Sequence, residues 1–292
     1  MKKLLYIILM VFIIFTLAAC GKNDTVTNIQ NTHEIDSSAS GGLTEPKPPA
    51  SSAIGDIINF GGIDWRVLDV QGGRALIISQ YILELRAFHD TQESVTWEHS
   101  DIRQYLNNEF FNSRFSDNER SRIAQTTIIN HDNLWFGTDG GNNTNDRIFL
   151  LSLDELIRYF GDSGEHANRR YAHQWGLDDE YNVVRIAYTV ADVIFTGEWS
   201  NLPPGSSFAW WLRSTGAISA KLGTGYGQVG MSYVLRGSGE GAVDFDALYR
   251  MTREEREQLD LSGAENEGGV VDVEGVYVTK ILGIRPALWL NL

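Results

Sequence analysis

A single cysteine, Cys20, sets the terms on which this 292-residue chain can fold. One thiol gives no internal disulfide and no Cys-based zinc cluster, so the folded body must be held by hydrophobic burial. The length allows this. A body of more than two hundred residues buries about three quarters of the surface its unfolded chain exposes. It suits one large domain or two small ones. The composition is that of an ordinary globular protein, 42% hydrophobic, 11% aromatic and 21% charged. With 24 basic residues against 38 acidic ones, the net charge is −14. Such a balance argues against nucleic acid as a partner, because tracking phosphates needs a basic stripe.

The position of Cys20 is as informative as its solitude. Lys2 and Lys3 precede Leu4 to Ala19, a run in which only Thr16 is strongly polar. The run is shorter than the roughly 18 residues of a spanning helix, and small residues follow it, so it reads as a signal peptide. Leu17-Ala18-Ala19-Cys20-Gly21 resembles the lipobox of bacterial lipoproteins. That resemblance implies loss of residues 1–19 and a diacylglyceryl group on the Cys20 thiol. The chain is then expected at the cell membrane, held by lipid and facing outside the cytoplasm. Each buried CH₂ of an acyl chain contributes about 0.8 kcal/mol. The alternative is an unlipidated signal peptide or an uncleaved anchor. Cleavage would leave 22 basic and 38 acidic residues. A body so acidic is repelled by anionic lipid, which leaves the acyl chains as the attachment.

Residues 20–53 read as the lipidated cysteine and a disordered tether. Residues 21–53 hold no Phe, Tyr or Trp, and only Val26, Ile29, Ile35 and Leu43 as large aliphatics. Such a segment buries too little apolar surface to fold, and as a coil it spans roughly 30 Å.

The remainder, 54–292, reads as one α+β domain. Asp56–Phe60, Ile63–Val70 and Arg74–Ser79 are β-branched runs split by Gly61-Gly62 and Gly72-Gly73, the pattern of an antiparallel meander. Central short helices follow. Ser100 can cap one carrying Ile102, Tyr105, Leu106 and Phe110 on one face, and Ser116…Glu119 and Ser152…Glu155 are capping-box spacings. Gly161 ends the last of these. Asn130–Asp146 is a polar loop broken by Trp135 and Phe136, and 161–182 is a second loop. Val183–Phe195 reads as a stretch holding one or two strands, and Ala209–Ser214, Met231–Arg236, Val270–Val273, Val276–Lys280 and Arg285–Leu290 are strand candidates among Gly-rich C-terminal hairpins. The apolar tail is expected to pair with the meander, with Trp65, Trp210 and Trp289 at core positions.

Four segments carry a family resemblance: Phe60–Leu68, Arg147–Ser152, Trp210-Trp211-Leu212-Arg213-Ser214 and Gly283–Asn291. Together they resemble a bacterial family of uncharacterised extracytoplasmic domains with a WWLRSPG…VRPALWLN signature. The resemblance spans nearly all of 54–292 and implies no known activity. Thr215 stands where the signature has proline, and about 237–268 looks like an insertion with a charged helix from Thr252. A more distant similarity is to the C-type-lectin-like fold of formylglycine-generating proteins, and it implies fold alone. Their oxidase chemistry depends on a cysteine pair, which this chain lacks after Cys20.

No catalytic set emerges. Gly225–Gly230 matches G-x-G-x-x-G but leads into a strand pattern, so a hairpin explains it better than a dinucleotide site. No G-x-S-x-G surrounds Ser214 or Ser238. His89, His99, His131, His166 and His173 show no zinc spacing. Asp139, Asn143 and Asp146 offer calcium ligands in a loop that Asx turns explain equally well, and no resident cofactor is expected. Arg213 and Arg285 lie in apolar strands, where pairing with buried carboxylates such as Asp64 or Glu198 gives them a structural role. Trp135, Trp175 and Trp199 fall in polar loops, suited to stacking on a sugar or anchoring a partner, or to pinning the loops. The reading is a lipid-anchored protein that binds glycan, envelope polymer or protein. The alternatives are a cell-wall hydrolase with paired carboxylates and a passive structural lipoprotein.

Overall fold

The computed structural model describes residues 53–162, 164, 176–219, 228–234 and 271–292. All belong to the compact unit Pro48–Leu292. Cys20, residues 21–52, Trp175 and the stretch 237–268 lie outside them. The fold is α+β. Among the described residues no helix is long and apolar enough to cross a membrane.

The chain opens on β1 (Ile57–Phe60), β2 (Ile63–Gln71) and β3 (Arg74–Ser79). Both hairpin turns are glycine pairs at positive φ, 62° and 70° at Gly61-Gly62 and 56° and 75° at Gly72-Gly73. Two-residue turns of that kind match the strand twist. Next come β4 (Glu84–Arg86) and α1 (Asp101–Tyr105), where the Ser100 side chain accepts from the Arg103 N–H. A π turn (Leu106–Phe110) leads into α2 (Phe111–Arg114). Asn107, Asn108 and Asn112 each donate a side-chain N–H to the carbonyl four residues back, which competes with the regular ladder there. α3 (Asp117–Arg122) and, later, α4 (Leu153–Phe160) both carry the expected capping boxes. Between them lie β5 (Ile123–Ala124), β6 (Thr126–Ile128) and β7 (Thr144–Asp146). After α4 come β8 (Gly176–Leu177), α5 (Asn182–Arg185), β9 (Ala187–Tyr188) and β10 (Ser207–Phe208). The chain closes with β11 (Trp210–Ser219), β12 (Gln228–Val234), β13 (Val271–Val276), β14 (Leu282–Ile284) and β15 (Ala287–Asn291).

Two larger sheets hold eleven of these strands, and β6-β7 and β9-β10 form separate pairs. The first is ordered β1-β2-β3-β15-β5 and is antiparallel throughout. The tail therefore closes the meander, with Ala287 opposite Ile78 and Asn291 opposite Arg74. The second is ordered β4-β14-β11-β12-β13-β8, with β11 and β14 parallel. Trp65, Trp97, Trp210, Trp211, Phe88, Phe110, Phe149 and Phe160 are wholly buried in one continuous core.

Several expectations are corrected. Val183–Phe195 does hold a strand, β9, but its start, Val183–Arg185, is helical rather than extended, because buried Arg185 folds back onto Asp179 at 2.9 Å and onto the Gly161 carbonyl at 2.7 Å. Val276 ends β13, so Val276–Lys280 is not a separate strand. The loop Asn130–Asp146 finishes in β7, paired with β6. Trp289 is only half-buried, on the face of β15 opposite Leu288 and Leu290.

Three of the four segments carrying the resemblance, Arg147–Ser152, Trp210–Ser214 and Gly283–Asn291, meet in space. Phe149 and Ala287 exchange both backbone hydrogen bonds, and the Arg213 N–H donates to the Leu151 carbonyl. Arg213, with a side chain 2% exposed, also donates to the Leu150 and Ile129 carbonyls, to Asn130 Oδ1 and to the Glu155 carboxylate. Glu155 is thus its carboxylate partner, in place of Asp64. Arg285 donates to the Ser79 and Gln80 carbonyls and lies 4.8 Å over the Trp210 ring.

Candidate functional site

A cleft of about 660 Å³ opens where three extended segments run side by side. Tyr81-Ile82-Leu83 lies alongside Tyr188-Thr189-Val190 through a parallel bridge between Ile82 and Thr189. The Ile82 N–H donates to the Tyr188 carbonyl at 2.8 Å and the Val190 N–H to the Ile82 carbonyl at 2.9 Å. The third segment adds the Thr189 N–H to the Ser206 carbonyl at 3.0 Å.

Strand alternation then decides what the cleft sees. Ile82 and Thr189 point inward, 0% and 3% exposed. Tyr81, Leu83, Tyr188 and Val190 lie on the other face, half-buried, and all four line the cleft. The floor is thus two tyrosines and two aliphatics. Its inner face rests on Gly283, where a Cβ would stand 2.7 Å from an Ile82 methyl and 3.0 Å from the Ala209 carbonyl oxygen. A glycine here lets the floor approach the core, while the Leu83 N–H donates to the Ile284 carbonyl.

The walls supply the charge. Gly62 comes from the turn between β1 and β2 and Ile63 and Asp64 from the start of β2, held to the floor by the Gln80 N–H on the Asp64 carbonyl at 2.8 Å. Ala191, Asp192 and Gly205 form the opposite side, where the Gly205 N–H donates to Thr189 Oγ. Asp64 accepts from the Asn59 amide, whereas exposed Asp192 makes no hydrogen bond or ion pair among the described residues. The cationic lining group, Arg114, reaches Glu84 at 3.2 Å. Glu84 also binds Arg86 and accepts from the Tyr105 hydroxyl at 2.6 Å. Burial, then that hydrogen bond, push the Tyr105 phenol up to about 12.

The residues singled out from the sequence lie elsewhere. Trp135 and Trp199 are half-buried against the core, Trp199 edge-on to Phe208 at 5.5 Å, and neither lines the cleft. The loop of Trp135 is held by buried Asn133, whose amide donates to the Thr215 and Val273 carbonyls. Trp175 lies outside the described residues. Asp139 Oδ1 accepts from the Gly141 N–H, and Asn143 Oδ1 from the Asn130 N–H. Buried Asp146 accepts from Trp97, Arg103 and Thr144. Asp139 and Asn143 thus close their own loop, while Asp146 ties its end to Trp97 and α1. Among the described residues no group of three His, Cys, Asp or Glu side chains is placed to hold a metal ion. Of the G-x-G-x-x-G glycines, Gly225 and Gly227 lie outside the described residues and Gly230 lies in β12, a strand of the second sheet.

A second concavity crosses the outer face of β15. Its two lobes, about 630 and 270 Å³, share Ile129, His131 and Asp154, and the smaller reaches Trp289 and Arg213. Most of its polar groups are already engaged: Asp132 with the Gly140 N–H, Asn143 with Asn130, Glu155 with Arg213.

Tyr81, Tyr188 and Asp192 had no signal strong enough to be read from sequence. Three-residue alternations such as Tyr-Ile-Leu are too short to distinguish from loop, and a bridge between residues 82 and 189 leaves no trace in spacing.

A family model described as Domain of unknown function (DUF6273) matches residues 72–292. Comparisons with curated proteins and with solved structures return no match. The matched stretch begins in the turn after β2, although β1 and β2 complete the sheet that β3 and β15 continue. With that span covered, the chain belongs to the family Domain of unknown function (DUF6273).

Proposed function

We propose that the protein is a lipid-anchored extracytoplasmic binding protein, with Cys20 as the attachment, residues 21–53 as the spacer and the Tyr81/Tyr188 cleft as the ligand site. The observation that carries the reading is the cleft floor: two tyrosines beside two aliphatics in a concavity of about 660 Å³. Small-molecule sites are typically concave, about 300–1,000 Å³, largely apolar and supplied with a few polar groups, as this one is. Tyrosine gives both a face for stacking and a hydroxyl for hydrogen bonding, which suits a sugar ring or the end of an envelope polymer. The lipobox at Cys20 supports the placement at the membrane.

The test has two arms. Purified protein is incubated with insoluble envelope polymers and defined glycans, and capture is compared with that of the Tyr81→Ala/Tyr188→Ala double variant. Capture that the double variant loses, with its melting temperature retained, supports the cleft; equal capture by both proteins removes it. For the anchor, Cys20→Ser is expected to release the protein from the membrane fraction or leave the precursor uncleaved. A processed Cys20→Ser protein retained normally at the membrane would refute the lipid attachment.

A further inference from the structure

We propose that the cleft selects a cationic ligand, one that brings an organic ammonium group against the tyrosines between Asp64 and Asp192. This rests on the binding reading above and names the class of ligand.

Tyr81 and Tyr188 share one face because the Ile82–Thr189 bridge fixes both segments in register. Aromatic rings present a negative face, and an ammonium within about 6 Å of such a ring is attracted to it. The same face carries Leu83 and Val190, which fit the methyl or methylene groups attached to an ammonium nitrogen.

The walls decide the sign of the charge. Asp64 and Asp192 both line the cleft. Asp192 has no partner among the described residues, so its charge is available to a ligand. Arg114 is the cation of the lining, and its guanidinium is turned to Glu84, which sits next to Leu83 just beyond the floor. Arg86 is drawn to the same carboxylate and lies 3.5 Å over the Tyr105 ring, away from the cleft. Among the lining side chains themselves, Asp64 and Asp192 outnumber Arg114, whose charge Glu84 offsets, so the wall of the cleft is net negative. The whole chain, at −14, adds to that field. A cleft of one sign with apolar walls concentrates ligands of the opposite sign. A carboxylate or phosphate ligand would meet Asp192 directly. The volume of about 660 Å³ exceeds what a lone ammonium headgroup fills, so that group is one end of a larger molecule.

Two sources of this chemistry are a quaternary amine and an unacetylated amino sugar, and paired probes separate them. The full-length lipidated chain in a polyoxyethylene detergent is titrated by ligand-observed NMR. The probes are choline and its uncharged isostere 3,3-dimethylbutan-1-ol, and D-glucosamine and N-acetyl-D-glucosamine. The charged member of at least one pair is expected to bind about tenfold more tightly than its neutral partner, the scale of a cation–π contact reinforced by a carboxylate. That preference should shrink as salt is raised and be largely lost in Asp192→Asn, an exposed position whose change leaves folding intact. Neutral members binding as well as charged ones would overturn the charge selection and leave the binding reading standing. So would four silent probes alongside a double tyrosine variant that still loses polymer capture. Four silent probes with capture unaffected by the tyrosines would remove both.

Discussion

Arg213 illustrates what a charge inside an apolar strand requires. Its guanidinium takes up three carbonyl or amide oxygens and the Glu155 carboxylate, so one side chain ties β11 to the start of α4 and to the loop after β6. Removing the cation leaves those acceptors buried. Arg213→Met is expected to lower stability by about 3 kcal/mol, somewhat moderated because Glu155 keeps 28% of its side chain in solvent. Arg213→Lys should recover only a small part, since an ammonium cannot reproduce the planar fork. Denaturant unfolding gives the numbers, and a lysine variant as stable as the parent would show that charge alone suffices. Two tyrosines make the stability of the fold depend on alkaline pH. Burial pushes Tyr105 and Tyr159 up to about 12, with Glu84 adding to the first. Their folded values lie above the unfolded one, so the native state holds more protons between about pH 10 and 12. Stability from these groups is therefore complete below about pH 10 and is lost as the pH rises toward 12. An absorbance titration should show Tyr105 and Tyr159 ionising late, with the folded state weakening over the same range.

Among the elements, β15 carries most weight. It lies between β3 and β5 in the first sheet and touches Phe149 besides. Deleting residues 286–292 removes that strand from the middle of the sheet and should abolish cooperative unfolding altogether. A truncated chain with the parental melting temperature would contradict the pairing. Single substitutions should behave less alike than their shared tryptophan suggests. Trp210→Ala, at a wholly buried site, is expected to cost about 3–5 kcal/mol. Half-buried Trp289→Ala should cost well under that, about 1–2 kcal/mol, because part of its ring already faces water. Gly283 links element to site. Gly283→Ala would push a methyl toward Ile82, so it should both destabilise the domain and weaken ligand capture by displacing Tyr81 and Leu83.

For the molecule as a whole, the matched family span and the folded unit have different starts. Trp65 and Val67, both 0% exposed, sit in β2, ahead of residue 72. A chain that begins at residue 72 would leave β3 as an unpaired edge and its apolar face bare. It is expected to aggregate, whereas one beginning at Pro48 should elute as a folded species. Size-exclusion chromatography with circular dichroism distinguishes them, and a monomeric, cooperatively melting chain from residue 72 would show that β1 and β2 are dispensable.

The sequence determined the α+β class, the meander, the helix caps and the burial of an apolar tail, because each depends on neighbours a few residues away: glycine pairs, Ser-x-x-Glu spacings, alternating β-branched runs. It also pointed to the family, through motifs that prove to be one connected framework. Whether Val183–Arg185 coils or extends was decided elsewhere, by a buried Arg185 reaching back to Asp179 and Gly161. Trp289 likewise reads as core from its apolar surroundings, yet only the packing on each face of β15 sets how much of it stays wet. The cleft is the clearest case. Tyr81 and Tyr188 are more than a hundred residues apart, and what makes them neighbours is a backbone bridge whose partners chain spacing does not encode.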